Sequence, residues 1–331
     1  MSRYIVAGAA GFIGSRVAEL LATAGHSVVG IDNLNDAYDV RLKEWRLRQL
    51  CRSPNFRYCQ LDICDRGALE NLFNAHQSIG EAQFDGMLNL AARAGVRQSV
   101  VDPWVYLDTN VTGCLNLLEI CRAFGIEKFV LASTSSLYGS NRSQPFSENL
   151  TTDAPLSPYA ASKKAAEAMC YTYHHLYGLD VSVLRYFTVY GPAGRPDMSP
   201  FRFVQWIYEE RPVTVYGDGT QQRDFTYVDD IARGTIASLK PVGYQVINLG
   251  SDKPVGLNDV IALIERLVGS KADIKREPMH QADVRFTWAE IKKAKQLLEW
   301  KPQVGIEEGF ERLVDWYRQN RDWAKDIETG P

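Results

Sequence analysis

The 331-residue sequence predicts an α/β fold: a doubly wound parallel sheet with a smaller C-terminal lobe. Three observations carry this reading. Short apolar runs of strand length alternate with amphipathic helical stretches over residues 1–187, an order that puts parallel strands in one sheet with helices on both faces. Glycines crowd the first strand-to-helix junction, in "GAAGFIG". The alternation then breaks near residue 190, in the Pro/Gly-rich "GPAGRPDMSP", and shorter elements follow.

The elements read in order. "RYIVAGA" is a buried strand, and "FIGSRVAELLATAG" is an amphipathic helix stopped by Gly25. "SVVGID" is the second strand. "RLKEWRLRQLCR" (41–52), the densest basic stretch, reads as a solvated helix face. "FRYCQLDI", "FDGMLNLAA", "KFVLAS" and "VSVLRYF" are further strands, separated by helices at 66–77, 103–124 and 158–177. Later come a strand-turn in "VTVYGDG", a strand entering a helix in "RDFTYVDDIARGTIASL", then "QVINLGS", "LNDVIALIERLVG", "TWAEIKKAKQLLEW" and a last amphipathic helix near 306–320. The expected division is 1–187 for the first domain, with the chain returning to it at about 225–250, and 188–331 mainly for a ligand-binding lobe that closes over it.

Composition narrows the function. Hydrophobic residues make up 45% and charged residues 23%, with a net charge of −3. No basic field exists to draw in nucleic acid. No apolar run approaches the roughly 18 residues of a membrane span. The first residues run straight into the glycine motif, so no signal peptide is expected. The six cysteines are scattered without a CxxC pair, which suits reduced thiols in the cytoplasm. His174 and His175 would point apart on a helix, so no metal site is expected.

The glycine motif gives the fold its first function. Gly8, Gly11 and Gly14 permit a tight turn and a close approach to a pyrophosphate, and the helix start at Phe12 and Ile13 favours its charge. Asp32 ends the second strand 18 residues beyond Gly14, suited to accept hydrogen bonds from an adenosine ribose. An acid there repels a 2′-phosphate, which favours NAD over NADP. A Rossmann-type dinucleotide site follows. Ligands of such sheets lie at the carboxyl ends of the strands, which adds Asn33, Asp62, Ile63, Leu90, Ala91, Ala92 and Tyr186. Asp62 suits either an adenine amino group or a helix cap.

"LASTSSLYG" (131–139) sets Ser133, Thr134, Ser135 and Ser136 side by side at the end of a buried strand. That is a polar turn or part of a site, because buried hydroxyls need partners. "SPYAASKK" begins a helix, with Ser157 as N-cap and Pro158 first. Tyr159 and Lys163, four apart, share one face. A phenol titrates near 10. A neighbouring ammonium and a cationic nicotinamide would both favour its phenolate, making Tyr159 a general base or acid near neutral pH.

Together the glycine motif, Asp32, "NLAA", Asn110, the hydroxyl-rich strand end and YxxxK resemble the extended short-chain dehydrogenase/reductase family, in its nucleotide-sugar epimerase/dehydratase branch. The resemblance spans nearly the whole chain, through "QQRDFTYVDD" and "DVRFTWAEI". It implies that Thr134, four residues before Tyr138, orients the sugar O4, and that Ser135 and Ser136 support it. Dehydratases and decarboxylases of that branch carry an acid where Ser136 stands, as in "DEVYG", for chemistry at C5. A hydroxyl is a poor proton acceptor there, which points to epimerisation at C4.

"DNLNDAYDVRLKEWRL" and "FTVYGPAGRPDM" resemble runs of the branch's UDP-glucuronate 4-epimerases, so the resemblance implies a UDP-uronate substrate. Thr188 and Arg195 would hold its carboxylate. Arg97 is a further substrate candidate, Arg223 and Arg285 match the diphosphate region, and Tyr216 sits where an aromatic packs on uracil. A homodimer through helices 103–124 and 158–177 is also implied. The alternatives are a 4-epimerase of UDP-glucose or UDP-N-acetylglucosamine, a UDP-glucuronate decarboxylase and a non-catalytic NAD-binding sensor.

Overall fold

The computed structural model describes residues 1–78, 83–141, 143–279 and 283–330. Six strands build the first half: β1 (Arg3–Ala7), β2 (Ser27–Asp32), β3 (Phe56–Gln60), β4 (Gly86–Asn89), β5 (Lys128–Thr134) and β6 (Asp180–Tyr186). Six shorter ones follow: β7 (Thr188–Tyr190), β8 (Val213–Tyr216), β9 (Gln222–Tyr227), β10 (Tyr244–Leu249), β11 (Pro254–Gly256) and β12 (Ile274–Glu277). The main sheet has seven strands in the order β10-β6-β5-β4-β1-β2-β3. All its pairings are parallel.

This is the doubly wound α/β arrangement that the alternation predicts. The chain reverses its direction of strand addition between β1 and β4, and the crevice at that point is where ligands of open α/β sheets bind. β4, β5 and most of β6 are buried throughout, as expected of strands covered on both faces. One apolar layer packs Val17, Ala18 and Leu21 of the helix Phe12–Thr23 with Ile231 and Ala232 of the helix Val228–Ala237. The other joins Leu117, Cys121, Ala166 and Cys170 beneath the opposite face. A separate core of Phe201, Val204, Ile261, Phe310, Leu313 and Tyr317 holds the C-terminal lobe together, around the three-stranded sheet β11-β9-β7.

Two expectations need correction. The stretch 103–124 is not one helix: Trp104–Leu107 leads into a π-helical turn at Asp108–Thr112, and Gly113–Phe124 continues. The wide turn carries Asn110 inward, where its amide donates to Ser162 Oγ at 2.9 Å and to the Arg93 carbonyl at 3.0 Å. Such turns are frequent at functional sites. The helix Val40–Leu50 is not simply a solvated face either. Lys43 and Arg46 are buried with Leu42, Leu47 and Leu50, because acceptors from other segments meet them: Asn35 Oδ1 for Lys43, and three backbone carbonyls for Arg46.

Candidate active site

The glycines of the first turn are fixed by backbone crowding. Gly8 has φ +82°, and a Cβ there would lie 2.6 Å from the Ala91 nitrogen at the end of β4. A Cβ on Gly14 would fall 2.0 Å from the Gly8 carbonyl oxygen. Only glycine permits these approaches. The helix that begins at Phe12 has Gly11 as its N-cap, with no side-chain cap, so its first amides remain available to an anion. Asp32 is anchored beside them: its carboxylate accepts from the backbone N–H of Ala10 at 3.1 Å and of Leu34 at 2.9 Å.

A cleft of about 330 Å³ opens at the carboxyl edge of the sheet. It is lined by Gly8, Gly11, Phe12, Ile13, Gly14, Asp32, Asn33, Asp62, Ile63, Leu90, Ala91 and Ala92 at one end. Thr134, Ser135, Ser136, Tyr159, Lys163, Tyr186, Thr188 and Arg195 line the other. Residues from the ends of six strands, β1 to β6, and the starts of two helices thus meet in one place. Asp62 does not cap the following helix, since Asp65 accepts from Ala68 N. Instead its carboxylate accepts from Cys64 N–H and Asn33 Nδ2. Burial alone would raise its pKa, and these donors hold it below the usual value.

At the other end, Thr134 Oγ1 accepts from the backbone N–H of Ser136 at 3.1 Å and donates to Ser136 Oγ at 3.1 Å. Its hydroxyl also lies close enough to Tyr159 to ease the ionisation of that phenol. Ser133 is turned differently: it donates to Glu167 at 2.6 Å, and Glu167 is itself locked by buried Arg185 at 2.7 Å. The hydroxyl cluster therefore divides. All four residues line the cleft, but Ser133 commits its hydroxyl to Glu167, which leaves Thr134, Ser135 and Ser136.

Tyr159 and Lys163 share the start of the helix Pro158–Tyr177, capped by Ser157. Lys163, 2% exposed, donates to the Ala132 carbonyl at 2.9 Å. Burial pushes its pKa down to about 8. The Tyr159 pKa is raised by burial, against the lowering effects of the Thr134 hydroxyl and the Arg195 guanidinium. Within the protein, the groups that ease its ionisation are Thr134 and Arg195. Tyr106 packs edge-on against the Tyr159 ring at 6.1 Å.

Arg195 reaches the cleft from the loop after β7. Its Nε and Nη2 donate to Asp197 at 3.0 and 2.5 Å, and Nη2 also donates to the Ala94 carbonyl at 3.1 Å. Asn110, Arg97, Tyr216, Arg223 and Arg285 do not line the cleft. Arg97 stacks on the Tyr216 ring at 3.8 Å and pairs with Asp283 at 2.5 Å. Arg223 lies in their electrostatic reach, its pKa lowered by burial, and Arg285 is exposed. Arg97, Asp283 and Arg223 form a second polar cluster beside Tyr216. Asn35, Tyr38, Lys43, Gly95, Thr109 and Met198 also line the cleft and escaped the sequence reading. One signal was present: Lys43 and Arg46 interrupt the apolar stripe of Leu42, Leu47 and Leu50, and a charge on such a stripe needs a buried partner.

The family model described as GDP-mannose 4,6 dehydratase matches residues 5–313. A UDP-glucuronate 4-epimerase of Thermodesulfobacterium geofontis is 58% identical over 330 residues, which cover 99% of this chain and 100% of that protein. The crystal structure of the Bacillus cereus UDP-glucuronic acid 4-epimerase, in complex with UDP-glucuronic acid and NAD, superposes with a TM-score of 0.89. It is 36% identical, over 96% of this chain and 99% of that one. The Thermotoga maritima UDP-glucose 4-epimerase with UDP-glucose follows at 31% identity and a TM-score of 0.87, over 96% of this chain and 99% of that one. With its glycine turn, hydroxyl strand end and YxxxK helix meeting in one cleft, the chain belongs to the extended short-chain dehydrogenase/reductase family, in its nucleotide-sugar epimerase branch.

Proposed function

We propose that this protein is an NAD-dependent 4-epimerase that interconverts UDP-glucuronate and UDP-galacturonate. One observation carries the reading: Thr134, Tyr159, Thr188 and Arg195 converge on the same cleft, with Ser136 and no carboxylate at the C5 position. The glycine turn fits a dinucleotide. Its Cβ-intolerant backbone, its uncapped helix start and the Asp32 carboxylate match a pyrophosphate and a ribose. Gly11, Phe12, Ile13, Asp32, Asp62, Tyr159 and Lys163 would hold NAD, which supplies reversible hydride acceptance.

The chain's own residues do the rest. Thr134 orients O4 toward Tyr159, which removes its proton as C4 gives up its hydrogen as hydride. Lys163 would hold ribose hydroxyls of the dinucleotide. The 4-keto sugar turns over in the cleft, takes hydride on its other face and recovers its proton from Tyr159. A 4-keto uronate is a β-keto acid, which loses CO₂ when the carboxylate bond aligns with the ketone. Thr188 and Arg195 hold the carboxylate out of that alignment. Arg223 and Arg285 serve the diphosphate, Arg97 and Tyr216 the uridine end.

The test is product analysis by NMR, without added cofactor, on UDP-glucuronate and separately on UDP-glucose. UDP-galacturonate alone supports the reading. CO₂ with UDP-xylose indicates a decarboxylase, conversion of UDP-glucose alone a neutral-hexose epimerase, and no turnover even with NAD a sensor.

A cytoplasmic homodimer completes the reading. The described cysteines are all free thiols, and no helix among the described residues is long and apolar enough to cross a membrane. Trp104 and Leu107, with Tyr171, Leu176 and Tyr177, are exposed on the two stretches expected to pair. Burying such an apolar face against its own copy removes it from water.

A further inference from the structure

Arg46 is 3% exposed, and no carboxylate pairs with it among the described residues. A buried guanidinium without a counter-charge is costly unless every donor finds an acceptor. Arg46 meets that demand with four bonds to backbone carbonyls and one to a phenol. Nη1 donates to the Ala10 carbonyl in the glycine turn at 3.1 Å and to Tyr38 Oη at 2.8 Å. On the other side, Nε and Nη2 donate to the Ala193 carbonyl at 3.0 and 2.6 Å, and Nη2 also to the Gly194 carbonyl at 3.2 Å. One side chain thus bridges the cofactor turn and the loop that ends in Arg195.

That loop is strained at the point of attachment. Ala193 has φ +51°, and Gly191, two residues earlier, has φ +147°. A non-glycine residue in the left-handed region persists only where its surroundings over-determine it. Two of the Arg46 bonds end on that residue's own carbonyl, and a third on the next. Two residues later, Arg195 leans on Ala94 and Asp197 and influences Tyr159.

We propose that Arg46 is a positioning residue that holds the 191–195 loop in its strained form and so places Arg195 for the uronate carboxylate. It does not line the cleft and acts through Arg195. The inference rests on the reading above of Arg195 as the carboxylate's partner. It adds a residue of the helix 40–50, remote in sequence, as the determinant of uronate selectivity.

The test compares wild type with Arg46→Met and Arg46→Lys in two measurements. The first is amide hydrogen exchange of residues 191–198 in the purified protein, with no sugar added. Arg46→Met should speed exchange there by roughly tenfold or more, with Lys between it and wild type, because charge-assisted bonds of this kind are worth one to two decades in an equilibrium. Unchanged exchange overturns the strut, whatever the enzyme's substrate proves to be. The second measures KM and kcat for UDP-glucuronate, the inhibition constant of UDP and the NAD content. The expected result is a KM raised about 10- to 100-fold, with UDP affinity and NAD content within a factor of two. Equal losses of UDP affinity, NAD content and KM would reduce Arg46 to a general structural role and overturn the proposal. In an Arg195→Met background, Arg46→Met should add little, and full additivity of the two KM effects also overturns it. A wild type that ignores UDP-glucuronate would refute the substrate reading and leave the exchange result to judge the strut.

Discussion

The two ends of the cleft are made of different material. At the cofactor end the shape comes from main chain: Gly14 rests against the Gly8 carbonyl, and Gly8 against the end of β4. Asp32 is held by two backbone amides. At the sugar end it comes from side chains on separate segments: Thr134, Tyr159, Thr188 and Arg195. The first kind of site is specified within a few consecutive residues and tolerates almost no added atom. The second is assembled by the tertiary fold and can be changed one function at a time.

Four substitutions test that contrast. The largest effect is expected from Gly14→Ala, whose methyl would sit 2.0 Å from a backbone oxygen. Neither partner is a flexible side chain, so the turn must open, at roughly 3 kcal/mol or more. NAD content and Tm should fall together. The control is Gly25→Ala, at φ +84° but with nothing near its Cβ; it should cost only about 1–2 kcal/mol and leave NAD content intact. If Gly14→Ala kept its cofactor, the main-chain account of that end would be wrong.

Next comes Tyr159→Phe. It removes the proton carrier from a buried site without altering shape, so kcat should fall about 10²- to 10⁴-fold, with KM and Tm nearly unchanged. Arg195→Ala should act differently, raising KM for UDP-glucuronate by about 10- to 100-fold and releasing some UDP-pentose, detected by NMR. Unchanged affinity and product would remove Arg195 from carboxylate recognition.

The smallest effect concerns stability. Lys163 titrates at about 8 in the fold against 10.5 when free. Between these values the unfolded chain holds a proton that the folded chain has released, so this group makes stability rise with pH across that window. Below pH 8 the cost of burying its charge is fully present. Lys163→Met should therefore raise Tm by a few degrees at pH 7, an upper limit of about 3 kcal/mol, with the gain fading above pH 8. Turnover of wild type should fall on an alkaline limb near pH 8 if the ammonium is needed. A Tm gain that stayed constant with pH would assign it to packing rather than charge.

The contrast also explains what the sequence made legible. The glycine turn, Asp32 and the parallel order are local: each can be read from a strand, a turn and a helix start in succession. YxxxK and the hydroxyl run are legible as spacings, but only the fold shows that Ser133 turns to Glu167 while Thr134 faces the cleft. Lys43 and Arg46 looked like solvent charges because their acceptors, Asn35 Oδ1 for one and carbonyls of residues 193 and 194 for the other, carry no sequence signature. The break at Asp108–Thr112 was hidden for a similar reason. Nothing in "DTNVT" forbids a helix, and the wide turn is paid for by Asn110 bonding Ser162 and Arg93. The Tyr159 pKa depends on burial, which spacing does not report.

The place of β10 in the main sheet has a consequence for how the molecule comes to exist. It pairs along the whole of β6, from Tyr244 with Val181 to Leu249 with Tyr186. The intervening chain, residues 187–243, contributes to the C-terminal lobe before the sheet is closed. A ribosome that has delivered only the first 187 residues has therefore made a sheet with an open flank, and β6 at that flank carries Val181, Val183 and Leu184. An unpaired strand edge of this kind is a template for association between chains. A chain stopped at residue 187 would leave that edge of the sheet bare, because its last strand arrives only after the chain has visited the C-terminal lobe.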